Sequence, residues 1–313
     1  MTTMNKTVDP ESQEAWPKVD GLHVIDTGPS GRGASWWENL GRCPQRWAYD
    51  YLNGTEGRKP SSAPALIKGT LVHIGLAHFY ESVRREQEGS LNPSLVPIHG
   101  PVAAVHAKAR LEAGEDHTNP WHKYADTAAK AVERYVQWVG PSRQPEIIAV
   151  EKRYEINIPL VEEHVGAEYA RYSCRVDLVA KDSNGKVWFT DHKTTSGQVN
   201  ATKKQGFTLS LQFLGLMHIG RMIYGDDFGG TMINLVALTD KSGEPIRVKP
   251  QMAPWAVGCF DQVLLDRAFL LKGLIDQERP LHSWPKALTE QGPCLDRYGP
   301  CPYTMRCRFG PGE

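Results

Sequence analysis

The spacing of apolar positions changes character near residue 147. Before it, apolar residues recur three or four positions apart, as on one face of a helix. Trp36, Leu40, Trp47 and Tyr51 predict a helix over about 36–52, with Ser35 placed to cap it. A second helix fits about 68–88, where Leu71, Gly75, Ala77 and Val83 sit among charges. Two more fit about 101–113 and 120–139, the latter with Tyr124, Ala128, Ala131, Tyr135 and Trp138 at helical spacing. The Gly-, Pro- and polar-rich residues 1–34 read as an arm or irregular loop.

Beyond 147 the chain turns β-branched and aromatic. Residues 147–158, 169–180 and 186–193 alternate or run apolar, as strands do, and Asp182-Ser183-Asn184-Gly185 is a hairpin turn between the last two. A polar loop over 194–207 leads to a helix at about 208–223. Strands at about 231–239 and 246–249, a long helix over 254–277 and a Pro-, Gly- and Cys-rich tail from 280 complete the order. The pattern predicts an α/β fold, a mixed sheet flanked by helices, with no internal repeat.

Composition narrows the class. The chain has 313 residues, 40% hydrophobic and 23% charged, enough for a substantial core. No apolar run reaches the roughly 20 residues of a membrane helix, and the polar start lacks a signal core. We therefore expect a cytoplasmic protein. A formal net charge of zero argues against a charge-driven nucleic-acid coat, though not against a local basic groove. No Gly-x-x-x-x-Gly-Lys-Ser/Thr loop is present, so nothing suggests an ATP motor.

Candidate chemistry centres on Asp177, Asp191 and Lys193. Strand positions i and i+2 share a face, so Asp191 and Lys193 can converge on a point that Asp177 reaches from a neighbouring strand. Two carboxylates and an ammonium suit metal-dependent phosphodiester hydrolysis: the acids hold Mg²⁺ or Mn²⁺, the ion activates water, and the lysine helps the water or the developing charge. The bland reading is a strand end followed by an exposed ion pair. Against it, the acids flank a hairpin, and Val187, Trp188 and Phe189 are strongly apolar. Charges closing such a strand are costly unless used or paired.

At these residues the chain resembles the PD-(D/E)xK nuclease superfamily, in its RecB-like branch. CRVDLVAKDSNGKVWFTDHKTT matches the branch's G-x-x-D … D/E-x-K-T core, with Cys174 where glycine is usual. KGTLVHIGLAHFYE matches an upstream G-x-x-x-H helix motif through Gly69 and His73. LQFLGLMHIG matches Q-x-x-x-Y through Gln212, with Leu216 at the tyrosine position. The resemblance implies a restriction-endonuclease-like sheet. It implies Mg or Mn held by His73, Asp177, Asp191 and the backbone carbonyl of His192, and catalytic roles for Asp177, Asp191, Lys193 and Gln212. Glu151 could support the metal or be merely solvated, and Gln212 could orient Lys193, contact a phosphate, or be a plain helix residue. His78 is given no role.

The cysteines form a second constellation. Cys294-x6-Cys301-x5-Cys307 is too loose for a zinc ribbon and one ligand short, and Cys43 could supply that ligand. One cysteine before the core and three after it resemble RecB-like iron–sulfur nucleases, including AddB nuclease domains and a CRISPR-associated exonuclease family. Those hold a 4Fe–4S cluster on such a set, which would tie the tail to the start of the chain. Zinc or plain thiols are the alternatives. The expected division is an arm at 1–34, an iron–sulfur subdomain from 35–66 and 280–313, and a nuclease core over 67–279 with a helical insertion at about 101–139. Lys203, Lys204 and Arg46 are weak DNA contacts, beside aromatic residues Trp36, Trp47 and Tyr49 that are more often core.

By resemblance, the expected activity is a DNA exonuclease acting on ends or single strands, prokaryotic or phage-encoded. It would serve recombination, repair, phage replication or CRISPR adaptation, with any helicase or recombination partner a separate chain. A catalytically silent DNA-end-binding adaptor and a zinc-stapled RNA-processing nuclease are the rival readings.

Overall fold

The computed structural model describes residues 16–27, 31–52, 63–89, 95–140, 145–197, 210–239, 245–250, 254–287, 294–296, 299–304 and 307. A small hairpin, β1 (Lys18–Val19) and β2 (Leu22–His23), precedes α1 (Ala34–Arg42), α2 (Pro44–Tyr51), α3 (Pro64–Gln87), α4 (Pro101–Ala113) and α5 (Pro120–Val139). The sheet begins with β3 (Glu146–Asn157), followed after two short helices, α6 (Pro159–His164) and α7 (Ala167–Ala170), by β4 (Arg171–Lys181) and β5 (Val187–Thr195). Helix α8 (Leu211–Tyr224) leads to β6 (Phe228–Ala237) and the short β7 (Ile246–Val248). Helix α9 (Pro254–Asp276) and a last small hairpin, β8 (Leu295–Asp296) with β9 (Gly299–Pro300), follow.

The central sheet has five strands in the order β3-β4-β5-β6-β7. β3, β4 and β5 pair antiparallel, β5 and β6 pair parallel, and β7 closes the edge antiparallel. The expected mixed α/β architecture, with a sheet flanked by helices, is the one observed. The two-sided covering explains why the strands read as apolar runs. On one face, Tyr172, Val187, Phe189, Ile233 and Leu235 pack with Phe213 and Ile219 of α8 and Phe260 and Leu264 of α9; Trp37, Leu40 and Trp47 join the same core. On the other, Leu178, Ala180 and Val236 pack with Leu71, Leu76 and Val83 of α3 and Ala128, Val132 and Tyr135 of α5. Each large side chain so buried contributes about 1.5–3 kcal/mol. Gly75 sets the approach of α3 to α5: a Cβ there would lie 2.6 Å from Val132 Cγ2.

Prolines start several helices, since a first-turn residue has no intrahelical use for an N–H. Pro44, Pro64, Pro101, Pro120 and Pro159 all take that place. This corrects one expectation. The single helix over 36–52 is two, because Pro44 starts a new one and drives Cys43 into extended backbone (φ −157°, ψ 94°). Cys43 therefore lies at a helix junction and not within a helix, and the first cap is Gly33, not Ser35. Within the N-terminal stretch, residues 16–27 carry the β1–β2 hairpin and bury Val24 and Ile25. No helix among the described residues is long and apolar enough to cross a membrane.

Candidate active site

The β4–β5 ladder runs from Lys181↔Val187 to Leu178↔Thr190 and stops. The next positions outward on the two strands are Asp177 and Asp191. From there β5 continues along β6 alone, Asp191 opposite Ile233 and Thr195 opposite Ala237. The strands thus part at the two acids. Asp177 bridges the fork: its Oδ2 accepts the His192 backbone N–H at 2.7 Å.

Two further groups close on Asp177. His73, on α3, brings Nδ1 to 3.3 Å from Asp177 Oδ2. Gly69, one turn earlier, lies close to β5, where a Cβ would be 3.7 Å from Thr194 Oγ1. Glu151 comes from β3. The register Val150↔Leu178 and Lys152↔Val176 sets it opposite Asp177. Its φ of 51° is left-handed, a costly conformation for a residue with a side chain, and such strain gathers at functional sites. The neighbouring strand is irregular too. Val176 and Val179 share one core although three residues apart, so the alternation of faces is interrupted at Asp177–Leu178. Ligand atoms of His73, Glu151 and Asp177 all lie within 4.8 Å of one another. One imidazole and two carboxylates, with Asp177 buried and His73 partly exposed, fit a divalent ion, and the nitrogen suits Mn²⁺ better than Mg²⁺.

Asp191 belongs to a second group. Lys193 Nζ lies 2.8 Å from Asp191 Oδ2 and donates to Gln212 Oε1 at 3.1 Å; Gln212 Nε2 donates to Asp191 Oδ1 at 2.5 Å. The three side chains form a closed triangle between β5 and α8. Lys193 follows from strand alternation, and Gln212 from the first turn of α8, where the Ser210 side chain accepts the Phe213 N–H.

The charges are strongly coupled. Burial works against a protonated His73, but Asp177, Glu151 and Asp191 outweigh it and raise its pKa to about 9. Burial, reinforced by Asp177, raises Glu151 to about 8. For Asp177 burial is overridden by His73 and the His192 N–H, and the carboxyl sits well below its usual range. Asp191 is raised, by burial first. Burial lowers Lys193, yet Asp191 outweighs it and the net shift is upward, so the ammonium persists through neutral pH.

A sign follows for metal binding. Metal-free His73 and Glu151 both hold protons at pH 7, and a ligand must shed its proton to bind a cation. Apparent Mn²⁺ affinity should therefore rise with pH, up to about 100-fold per unit below pH 8 and up to about tenfold per unit from there to pH 9. Calorimetry in buffers of different ionisation enthalpy should count the released protons. A flat affinity between pH 6.5 and 8.5 would remove both residues from the ligand set.

Glu151 stands in the close ligand group, whereas Asp191 is engaged by Lys193 and Gln212. The His192 imidazole packs between His73 and Tyr80: its ring lies edge-on 6.0 Å from that of His73 and stacks on Tyr80 at 5.6 Å, its Nδ1 is 3.3 Å from Asn234 Nδ2, and burial lowers its pKa to about 3. Its backbone is what meets Asp177. The sequence left Glu151 between metal support and solvation; its place beside Asp177 comes from the register with β4 and a positive φ.

The terminal segments pack on α2. Tyr303 lies 4.9 Å from the Tyr49 ring and donates to Asp50 Oδ1 at 2.8 Å. Cys307 Sγ donates to Gln45 Oε1 at 3.0 Å, and the Cys301 N–H to the Cys294 carbonyl at 2.9 Å. Cys43, Cys294, Cys301 and Cys307 do not form a group with ligand atoms within 4.8 Å. Tetrahedral thiolates on one zinc would stand about 3.8 Å apart. Trp36, Trp47 and Tyr49 are buried, as core residues are. Arg46 lies 3.7 Å from Asp50, and Lys203 and Lys204 fall outside the described residues. His78 has a structural place: its Nε2 accepts the Ile25 N–H and its Nδ1 bonds the His99 carbonyl.

Compared with known families, residues 34–308 match the model of the PD-(D/E)XK nuclease superfamily. Among curated proteins no match was found. The matched span takes in both halves of the fork, from His73 on α3 to Gln212 on α8, and the chain belongs to the PD-(D/E)XK nuclease superfamily.

Proposed function

We propose that the protein is a metal-dependent DNA exonuclease of the RecB-like branch, hydrolysing phosphodiester bonds at ends or in single strands. The carrying observation is the fork itself, with His73, Glu151 and Asp177 gathered beside the Asp191–Lys193–Gln212 triangle. A divalent ion held there, with Asp191 and the His192 carbonyl as further oxygen donors, would supply Lewis-acid activation and charge neutralisation. Lys193 holds a positive charge beside the bond to be cut. Gln212 fixes that lysine and orients one oxygen of Asp191.

The second part of the proposal is a 4Fe–4S cluster on Cys43, Cys294, Cys301 and Cys307. Three observations support it. The Pro44 break places Cys43 at a helix junction, Cys307 touches α2 two residues beyond it, and the matched span includes all four cysteines. Burial raises the Cys301 and Cys307 thiols, with the charges of the other cysteines adding. A cube of iron and sulfide holds its thiolates farther apart than a single ion does. Its use would be a staple between chain ends that build little core.

The test is anaerobic purification with iron, zinc and sulfide analysis, then Mn²⁺-dependent cleavage of end-labelled linear and closed circular DNA, single- and double-stranded. We expect iron and acid-labile sulfide in equal amounts, mononucleotide or short products from linear DNA, and intact circles. Zinc without sulfide removes the cluster. Nicked circles make the enzyme an endonuclease, and cleavage of RNA alone overturns the DNA assignment.

A further inference from the structure

Asp26 precedes the residues that match the superfamily, which begin at 34, yet it meets an arginine that pairs with Glu151. Its segment is firmly held. The Ile25 N–H donates to His78 Nε2 at 3.0 Å and the His23 N–H to the Pro97 carbonyl at 2.9 Å, while Val24 and Ile25 are buried. Asp26 is thereby set against two arginines that face each other across β3 and β4, Arg153 and Arg175. Asp26 Oδ2 lies 2.6 Å from Arg153 Nη2 and 3.9 Å from Arg175 Nη1, and Arg175 Nη1 donates to the Asp26 carbonyl at 3.4 Å. The other side of the Arg175 guanidinium meets the fork: its Nε is 2.8 Å from Glu151 Oε2. These two side chains are only 11% and 5% exposed, so the contact is shielded from water.

We infer that Arg175 and Asp26 are positioning residues of the metal centre, Arg175 aiming the Glu151 carboxylate and Asp26 holding Arg175. The inference rests on the metal-centre reading of His73, Glu151 and Asp177. Glu151 holds a left-handed φ, which persists only where the surroundings over-determine it. The guanidinium engages one carboxylate oxygen and limits rotation of the group, as partners behind a metal ligand commonly do. Asp26 sits between two like charges that would otherwise repel, so removing it frees Arg175 to swing from Glu151. A segment ahead of the superfamily match thus completes the geometry of the shared site.

The test is Mn²⁺ binding by electron paramagnetic resonance, without DNA, on the full chain. Arg175→Ala should weaken binding about 10–100-fold. Arg175→Lys should restore part of it, and Asp26→Asn should weaken it less, about threefold to tenfold. Thermal melting of each variant reads folding separately, and Asp26, on the surface, is the variant least exposed to misfolding. Glu151→Ala and Asp177→Asn serve as references. If they bind Mn²⁺ normally, the metal-centre reading falls and this inference with it. If they lose Mn²⁺ while Arg175→Lys and Asp26→Asn, still folded, bind as the parent does, the positioning role alone is overturned. Tighter binding in Arg175→Ala would also overturn it, by making Arg175 a competitor of the metal.

Discussion

Asp191→Ala should lower kcat by about 10³-fold or more and leave the protein folded. A directed charge at a metal-assisted phosphoryl centre is worth several kcal/mol, and about 4 kcal/mol is about 10³-fold in rate. Here one carboxylate orients Lys193 and Gln212 together, so its loss also dissolves the triangle. The folding argument runs the other way. Asp191 is buried and its pKa is raised, by burial first and by the charge of Asp177, with Lys193 opposing. A raised carboxylate pKa means that the charged form is less favourable in the folded chain than in the unfolded one. Deleting it relieves that cost, and Lys193, which loses the carboxylate that offsets its burial, is 30% exposed and keeps Gln212 Oε1 as a partner. Single-turnover cleavage at saturating Mn²⁺ and a thermal melt check both halves. Undiminished cleavage in a folded variant would end the assignment of Asp191.

The parts of this site that were legible in the sequence are those written in local pattern. Strand alternation put Asp191 and Lys193 on one face, and the Asp182–Gly185 turn fixed the hairpin that brings Asp177 opposite. In the structure Asp182 Oδ1 accepts the Asn184 and Lys186 N–H groups and Gly185 takes φ 79°, which is why that turn is so readable. What pattern could not show was contact at long sequence distance. Glu151 gains its place from a register with β4 and from a backbone angle that no propensity predicts. Asp26 gains its place from the buried bond of Ile25 to His78, a histidine to which the sequence assigned nothing. The helix break at Cys43 was readable, since a proline in a helix interior removes a donor and clashes with the preceding turn. The run of tryptophans and tyrosines across 36–51 masked it by keeping helical spacing on both sides.

Lys193→Met is the sharper test of how work is divided at the fork. We expect kcat to fall by about 10²–10³-fold, the worth of about 3–4 kcal/mol of electrostatic stabilisation. Mn²⁺ affinity should change by less than about threefold, because Lys193 is not among the close ligand groups and offers no lone pair while protonated. Burial alone would lower its pKa, but Asp191 overrides this and raises it, so the side chain remains an ammonium across the working range. A charged lysine is a stabiliser of negative phosphate oxygens, not a base. The pH–rate profile of the parent enzyme should accordingly follow metal loading at His73 and Glu151, rising through neutral pH, and Lys193→Met should lower that profile without changing its shape. If the variant instead loses a titration near neutrality, Lys193 acts as a base. If it loses Mn²⁺ along with activity, the lysine holds the metal ligands in place and its charge is not what the reaction uses. Gln212→Leu should show the same signature in a smaller amount, since it breaks the two sides of the triangle that Gln212 makes but leaves the Asp191–Lys193 pair at 2.8 Å.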